Sequence, residues 1–145
     1  MTKSKTAATW LAFLGGSLGL HRLYLYGLRD ALGWLHVLPA SLGVYGVMRM
    51  VELGQDDQVA WVLIPLLGLV LAGSMLCAIR YGLTPDERWD ARHNGGTPSR
   101  RSGWGAVFGV IGALMIGATV LMATIAFSAQ RWFESQVEAA RELSQ

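Results

Sequence analysis

Hydrophobic positions along the chain fall into long unbroken blocks, not into the short alternations of strands or the narrow stripes of water-facing helices. Val59 to Ile79 and Gly105 to Phe127 contain no charged residue, and Ala31 to Val51 contains only Arg49, close enough to its end to reach the headgroups. A hydrocarbon layer of ~30 Å needs about 20 helical residues, so each block predicts a transmembrane helix. A shorter block, Thr6 to Leu20, attains that length only by continuing through His21 and Arg22 to Tyr26. The expected fold is all-α and multi-pass, with four spans at 6–26, 31–51, 59–79 and 105–127. Pro39 and Pro65 fall inside spans and predict kinks, not breaks, because neighbouring helices can re-satisfy the freed backbone groups. A secretory signal is the competing reading of Lys3, Lys5 and the first apolar run, but Ser17-Leu18-Gly19 is a poor cleavage site.

The polar segments set the orientation. Glu52 to Gln58 has three acids and no Lys or Arg, whereas Arg80 to Gly103 has five Arg. The positive-inside rule makes the first exoplasmic and the second cytoplasmic. With four spans both termini are then exoplasmic, which leaves Lys3 and Lys5 on the side the rule disfavours. The expected location is the cell membrane, specifically a bacterial inner membrane. Residues 3–51 form one helical hairpin; residues 52–145 form a second helical pair with a cytoplasmic loop at 80–104 and a helical tail at 128–145. In the loop, Thr84-Pro85-Asp86-Glu87 reads as a capping box that opens a short helix running to Arg92, stopped by Asn94-Gly95, with Trp89 as an interfacial anchor.

Lipid tails are as apolar as leucine, so spans associate where small residues let backbones approach. Gly105, Gly109, Ala113 and Gly117 recur every four residues and form a ridge along the last span. Gly15, Gly16 and Gly19 crowd the first span, Gly43 and Gly46 the second, and Gly68 and Ala72 the third. The ridge predicts a helix interface that serves folding or self-association.

Composition narrows the function classes. The chain of 145 residues is 52% hydrophobic and 15% charged, with mean hydropathy +0.37; soluble domains carry about 25% charged residues. Disorder, collagen and coiled coil are excluded. A single cysteine, Cys77, excludes an internal disulfide and multi-cysteine metal motifs. His21, His36 and His93 show no metal-ligand spacing, and Gly15 to Gly19 lacks the Lys-Ser/Thr of a phosphate loop. Ser41, His36 and Asp30 make a catalytic triad only on paper. No catalytic residue, cofactor or metal is therefore assigned. His36 lies within a span, where its expected role is a hydrogen bond to another helix. The Arg-rich loop is accounted for by sidedness, and nucleic-acid binding has no further support. The expected partners are the lipid bilayer and a second copy or another membrane protein.

The most densely patterned stretch is Leu14-Gly15-Gly16-Ser17-Leu18-Gly19-Leu20 leading into His21-Arg22-Leu23-Tyr24-Leu25-Tyr26. It resembles the TM2 domain family, whose first span ends in Gly-x-x-Gly-x-His-Arg-Phe-Tyr-Leu-Gly. The match falls on Gly16, Gly19, His21, Arg22, Tyr24 and Leu25. Leu23 stands where the family has Phe, and Tyr26 where it has Gly, with Gly27 one residue late; Leu28-Arg29-Asp30 replaces the Asp-Arg-Phe turn. The resemblance covers residues 3–48, a third of the chain. It implies a membrane helical hairpin and names no reaction. From the residues themselves, His21, Arg22, Tyr24, Tyr26, Arg29 and Asp30 form an interfacial turn or a lipid-headgroup site, in which Arg22 can pair with Asp30. The expected function is that of a multi-pass, non-enzymatic membrane protein, an accessory or assembly factor acting through helix or loop contacts. The alternatives are a subunit of an oligomeric channel or transporter and, remotely, an intramembrane enzyme.

Overall fold

The computed structural model describes residues 2–99 and 101–144. Among them every regular element is helical: α1 (Lys5–Gly15), a 3₁₀ turn (Gly16–Leu18), α2 (Leu20–Tyr26), α3 (Ala31–Leu35), α4 (Val37–Leu53), α5 (Gln58–Leu83), α6 (Asp86–His93) and α7 (Trp104–Leu143). Three stretches are long and apolar enough to cross a membrane: Ala31–Leu53, Gln58–Leu83 and Trp104–Leu143. They contain the three blocks expected from the pattern. The interruption at His36, between α3 and α4, lies three residues before Pro39, which removes a backbone donor and crowds the preceding turn. Pro65, by contrast, sits inside an unbroken α5.

The block at 6–26 is not a single spanning helix. At 1.5 Å per residue the 11 residues of α1 reach only about 16 Å. The helix then tightens into the 3₁₀ turn, and Gly19 follows in the left-handed region at φ 73°. A β-carbon at Gly19 would also run into the Gly33 carbonyl, so the turn is closed by glycine on two counts. Leu20 folds back onto Gly15, and α2 returns beside α1. Its end meets the start of α1: the Ser4 amide donates to the Tyr24 hydroxyl at 2.9 Å, and Lys3 Nζ donates to the Leu25 carbonyl. The first unit is thus a hairpin that opens and closes at one end of the bundle.

The helices meet where the small residues are. A β-carbon at Gly43 or Gly46 would collide with Leu67 or Leu63, fixing α4 antiparallel to α5. Gly68 lies against Thr124 and Gly117 against Met75, fixing α7 antiparallel to α5. Gly105, Gly109 and Gly112 face Thr6, Thr9 and Phe13, so α1 runs parallel to α7. The ridge of the last span is therefore filled from within the same chain, with Ala113 buried beside Ala12, Met75 and Ala78. Eight of the eleven buried hydrophobic residues among those described are alanine, while Leu69, Leu76, Leu114, Met115 and Met122 point outward. Small residues inside and large apolar ones outside reverse the arrangement of a water-soluble core and match helix packing in lipid.

At the far end of the bundle, Arg49 clamps Asp57 with two bonds of 2.8 and 2.9 Å, and Arg131 lies 5.3 Å over the Trp61 ring.

Candidate functional site

The end of the bundle that carries α6 is tied together by the N-terminal segment. Lys5 Nζ donates to the Thr84 carbonyl at 2.7 Å and pairs with Asp86 at 2.7 Å. Trp89 Nε1 donates to the Lys3 carbonyl at 2.8 Å, and the Lys3 amide donates to Asn94 Oδ1 at 2.7 Å. Lys3 and Lys5 thus share an end with the Arg80–Gly103 segment, not the opposite end that four spans would give them. Thr84 does not cap α6, because its hydroxyl donates back to the Arg80 carbonyl at 2.6 Å and Pro85 stands at the helix start. Nor does Trp89 face lipid: it is 1% exposed, packed against Ala8 and Leu25. The stop at Asn94-Gly95 is formed as expected, with Gly95 and Gly96 at positive φ and the Gly96 amide on the Asp90 carbonyl at 2.9 Å. The Lys5 hydrogen bond holds the Asp86 carboxyl below its usual range, and bonds from Ser99 and Asn94 do the same for Asp90.

Between α2, the start of the α3–α4 span, the last turns of α5 and the body of α6 lies a pocket of about 220 Å³. All three histidines of the chain line it. The rings of His21 and His36 stand edge to face at 5.6 Å, and His21 is 5.8 Å from Tyr81. His93 lies 4.4 Å from Trp89 and 6.3 Å from Tyr26. Burial lowers the His93 pKa below the ordinary imidazole value. Arg22, Arg80 and Arg92 complete the wall, and among the described residues no carboxylate lines it. Arg22 is already committed: its guanidinium bonds Asp30 at 2.8 and 3.4 Å and lies 5.0 Å over the Tyr26 ring. Asp30 in turn accepts from the Gly33 amide at 3.1 Å and caps α3. Arg80 and Arg92 have no salt-bridge partner among the described residues. Such a wall of guanidinium and imidazole donors can attract an anion and bond it from several sides.

The expected residues sort clearly. His21, Arg22, Tyr26 and His36 come together in the pocket, and the Arg22–Asp30 pair forms. Tyr24 instead holds Ser4, and Arg29 lies exposed on the turn. His36 Nδ1 donates to the Leu32 carbonyl of its own helix at 2.7 Å, not to another helix. With that nitrogen committed and Asp30 bound to Arg22, the Ser41, His36 and Asp30 side chains do not assemble into a triad. Arg80, Tyr81, Arg92 and His93 were absent from the sequence-based set. They arrive from elements far apart in the chain, and no spacing links them to His21. Among the described residues no cluster of His, Cys, Asp and Glu is arranged to hold a metal ion. Comparison with protein-family models, curated proteins and solved structures finds no match for this chain.

Proposed function

We propose that this is a cell-membrane protein of TM2-like type with three spans and a re-entrant N-terminal hairpin. It acts as a non-enzymatic accessory factor whose working surface is the α6 end of the bundle. The observation that carries this reading is the return of α2 to the start of α1, with Lys3 and Lys5 bonded into the Arg-rich segment. Re-entrant segments are tolerated in lipid where their irregular backbone is covered by protein, and the Gly15–Gly19 turn is covered by Ser74 and Gly33. The charge count supports the same arrangement. Among the described residues Lys3, Lys5, Arg22, Arg29, Arg80, Arg88, Arg92 and Arg101 belong to the α6 end, against Arg49, Arg131 and Arg141 at the other. Arg100 lies outside the described residues. Over the same eleven residues four spans would give six against five, so eight against three is the stronger positive-inside bias and supports a cytoplasmic α6 end.

Conduction fits less well than binding. Just beyond Cys77 and His36 the interior closes with Ala12, Met75, Ala78 and Ala113, which offer a permeating ion no polar group. Reporter fusions test the topology. The N-terminus and an insertion at Gly96 are expected on the cytoplasmic face, and an insertion at Gln55 and the C-terminus on the other. A reporter at the N-terminus that reads opposite to Gly96 restores four spans and overturns the proposal.

A further inference from the structure

Resting on that topology, we infer that the histidine-lined pocket is a binding site for a terminal phosphate group, carried by a lipid headgroup or free in solution. Among the described residues Arg80 and Arg92 are the cations on its wall without a salt-bridge partner, and no carboxylate lines it to compete for them. His21 is 1% exposed, and its Nδ1 is buried with no hydrogen-bond partner. The His21 ring therefore backs the pocket as a rigid floor, and the contacts to a ligand fall to the more accessible Arg80, Arg92 and His93 on the wall. His36 holds its ring against His21 while its Nδ1–H is occupied by the Leu32 carbonyl, so its Nε2 accepts in the neutral ring and donates to a phosphate oxygen only as the imidazolium that a bound anion favours. Arg22, its charge paired with Asp30 and its plane held over Tyr26, adds guanidinium to the wall without being free to swing. A volume near 220 Å³ lies below the ~300–1,000 Å³ of pockets for drug-sized ligands, so it suits a phosphate with a short ester arm better than a nucleotide. Its level, at the last turns of α5 and the end of a re-entrant hairpin, is the headgroup level on the cytoplasmic side, where basic pockets between helices meet anionic headgroups. A terminal phosphate offers several acceptor oxygens to guanidinium and imidazole donors placed on different walls.

The test uses the full chain in neutral detergent at neutral pH. It follows the melting temperature during titration with inorganic phosphate, short-chain phosphatidic acid, or short-chain phosphatidylcholine as the amphiphile control. A saturable rise in Tm with phosphate and with phosphatidic acid at similar midpoints identifies a free phosphate site. A much lower midpoint for phosphatidic acid identifies a headgroup site. Either result supports the assignment. Arg80→Gln and Arg92→Gln are each expected to raise the midpoint about tenfold, the loss of one charge-assisted hydrogen bond. Arg88→Gln, on the same helix as Arg92 but off the pocket wall, should leave it unchanged. Arg80 and Arg92 are both exposed on their helices, so the unliganded melt of each variant should match the parent and separate lost binding from lost fold. The assignment is overturned by a flat response to both phosphates, by phosphatidylcholine acting as strongly as phosphatidic acid, or by an equal loss in Arg88→Gln. If the reporters keep the N-terminus beside Gly96 while the melts stay flat, the ligand fails and the topology stands. An N-terminus opposite Gly96 sinks both.

Discussion

Gly19 is the residue on which the first hairpin turns. Its φ of 73° and the Gly33 carbonyl, which stands where a β-carbon would go, both exclude a side chain. Gly19→Ala should cost about 1–2 kcal/mol from the left-handed backbone alone, before any shift of α3. A lowered melting temperature in detergent checks this; an unchanged one means that the turn has another conformation. Asp86 answers a different question, because its charge ties the N-terminus to α6. Its folded pKa is held down by Lys5, so the stability it confers is complete above the unfolded carboxyl value near 3.9 and is lost as pH falls through the folded one. His93 works in the same direction at higher pH: burial disfavours its cation, so stability falls as pH drops below the ordinary imidazole value. Thermal melts between neutral and acid pH should decline in two stages. The more acidic stage should shrink in Asp86→Asn, and the earlier one in His93→Gln. A single stage untouched by either change contradicts these roles.

At the scale of elements, the long helices were legible because one property, charge-free length, is enough to specify them. It is insensitive to what surrounds the helix. The ridge from Gly105 to Gly117 was legible as an interface for a similar reason, but its partner was not. Sequence says that a backbone can approach there, while the partners are not given by it: α1, about a hundred positions away, at Gly105 and Gly109, and α5 at Gly117. Leucine at Gly109 would meet Thr9 Cγ2, which a bare β-carbon already approaches to 2.9 Å, and the Trp10 ring behind it. Gly109→Leu is expected to lower stability by about 1–3 kcal/mol, as overpacking does. Size-exclusion profiles should stay unchanged, because that face is occupied within the chain. Dissociation of an oligomer with an unaltered melt would instead make the ridge a contact between copies. The block at 6–26 misled because hydropathy averages over Gly15 to Gly19 as if the helix ran on. Two signals pointed elsewhere: five residues holding three glycines, and two lysines that a positive-inside count places beside the Arg-rich loop. The pocket was the least legible feature. His21, His36 and His93 share no periodicity, and only the return of α2 alongside α1 and the docking of α6 bring them to one wall.

For the molecule as a whole, the uneven distribution of charge between its two ends becomes a statement about insertion. Eight of the eleven described Lys and Arg residues belong to the α6 end, and the Glu52–Gln58 turn opposite carries none. Each basic residue retained on the cytoplasmic side biases the orientation, and acids contribute little. Replacing Arg88, Arg92 and Arg101 with Gln leaves five basic residues against three among those described, and adding Lys at Gln55 and Gln58 makes the two ends equal. The first change should produce a minor inverted population, visible as cytoplasmic activity of a C-terminal reporter. The combined change should make it substantial. Lys3 and Lys5 offer the sharper comparison. In a re-entrant arrangement they add to the bias, so Lys3→Gln with Lys5→Gln should increase inversion. If the N-terminus were exoplasmic, the same pair would oppose the bias and its removal should suppress inversion. The sign of that one response separates the two topologies without any change to the length of a helix.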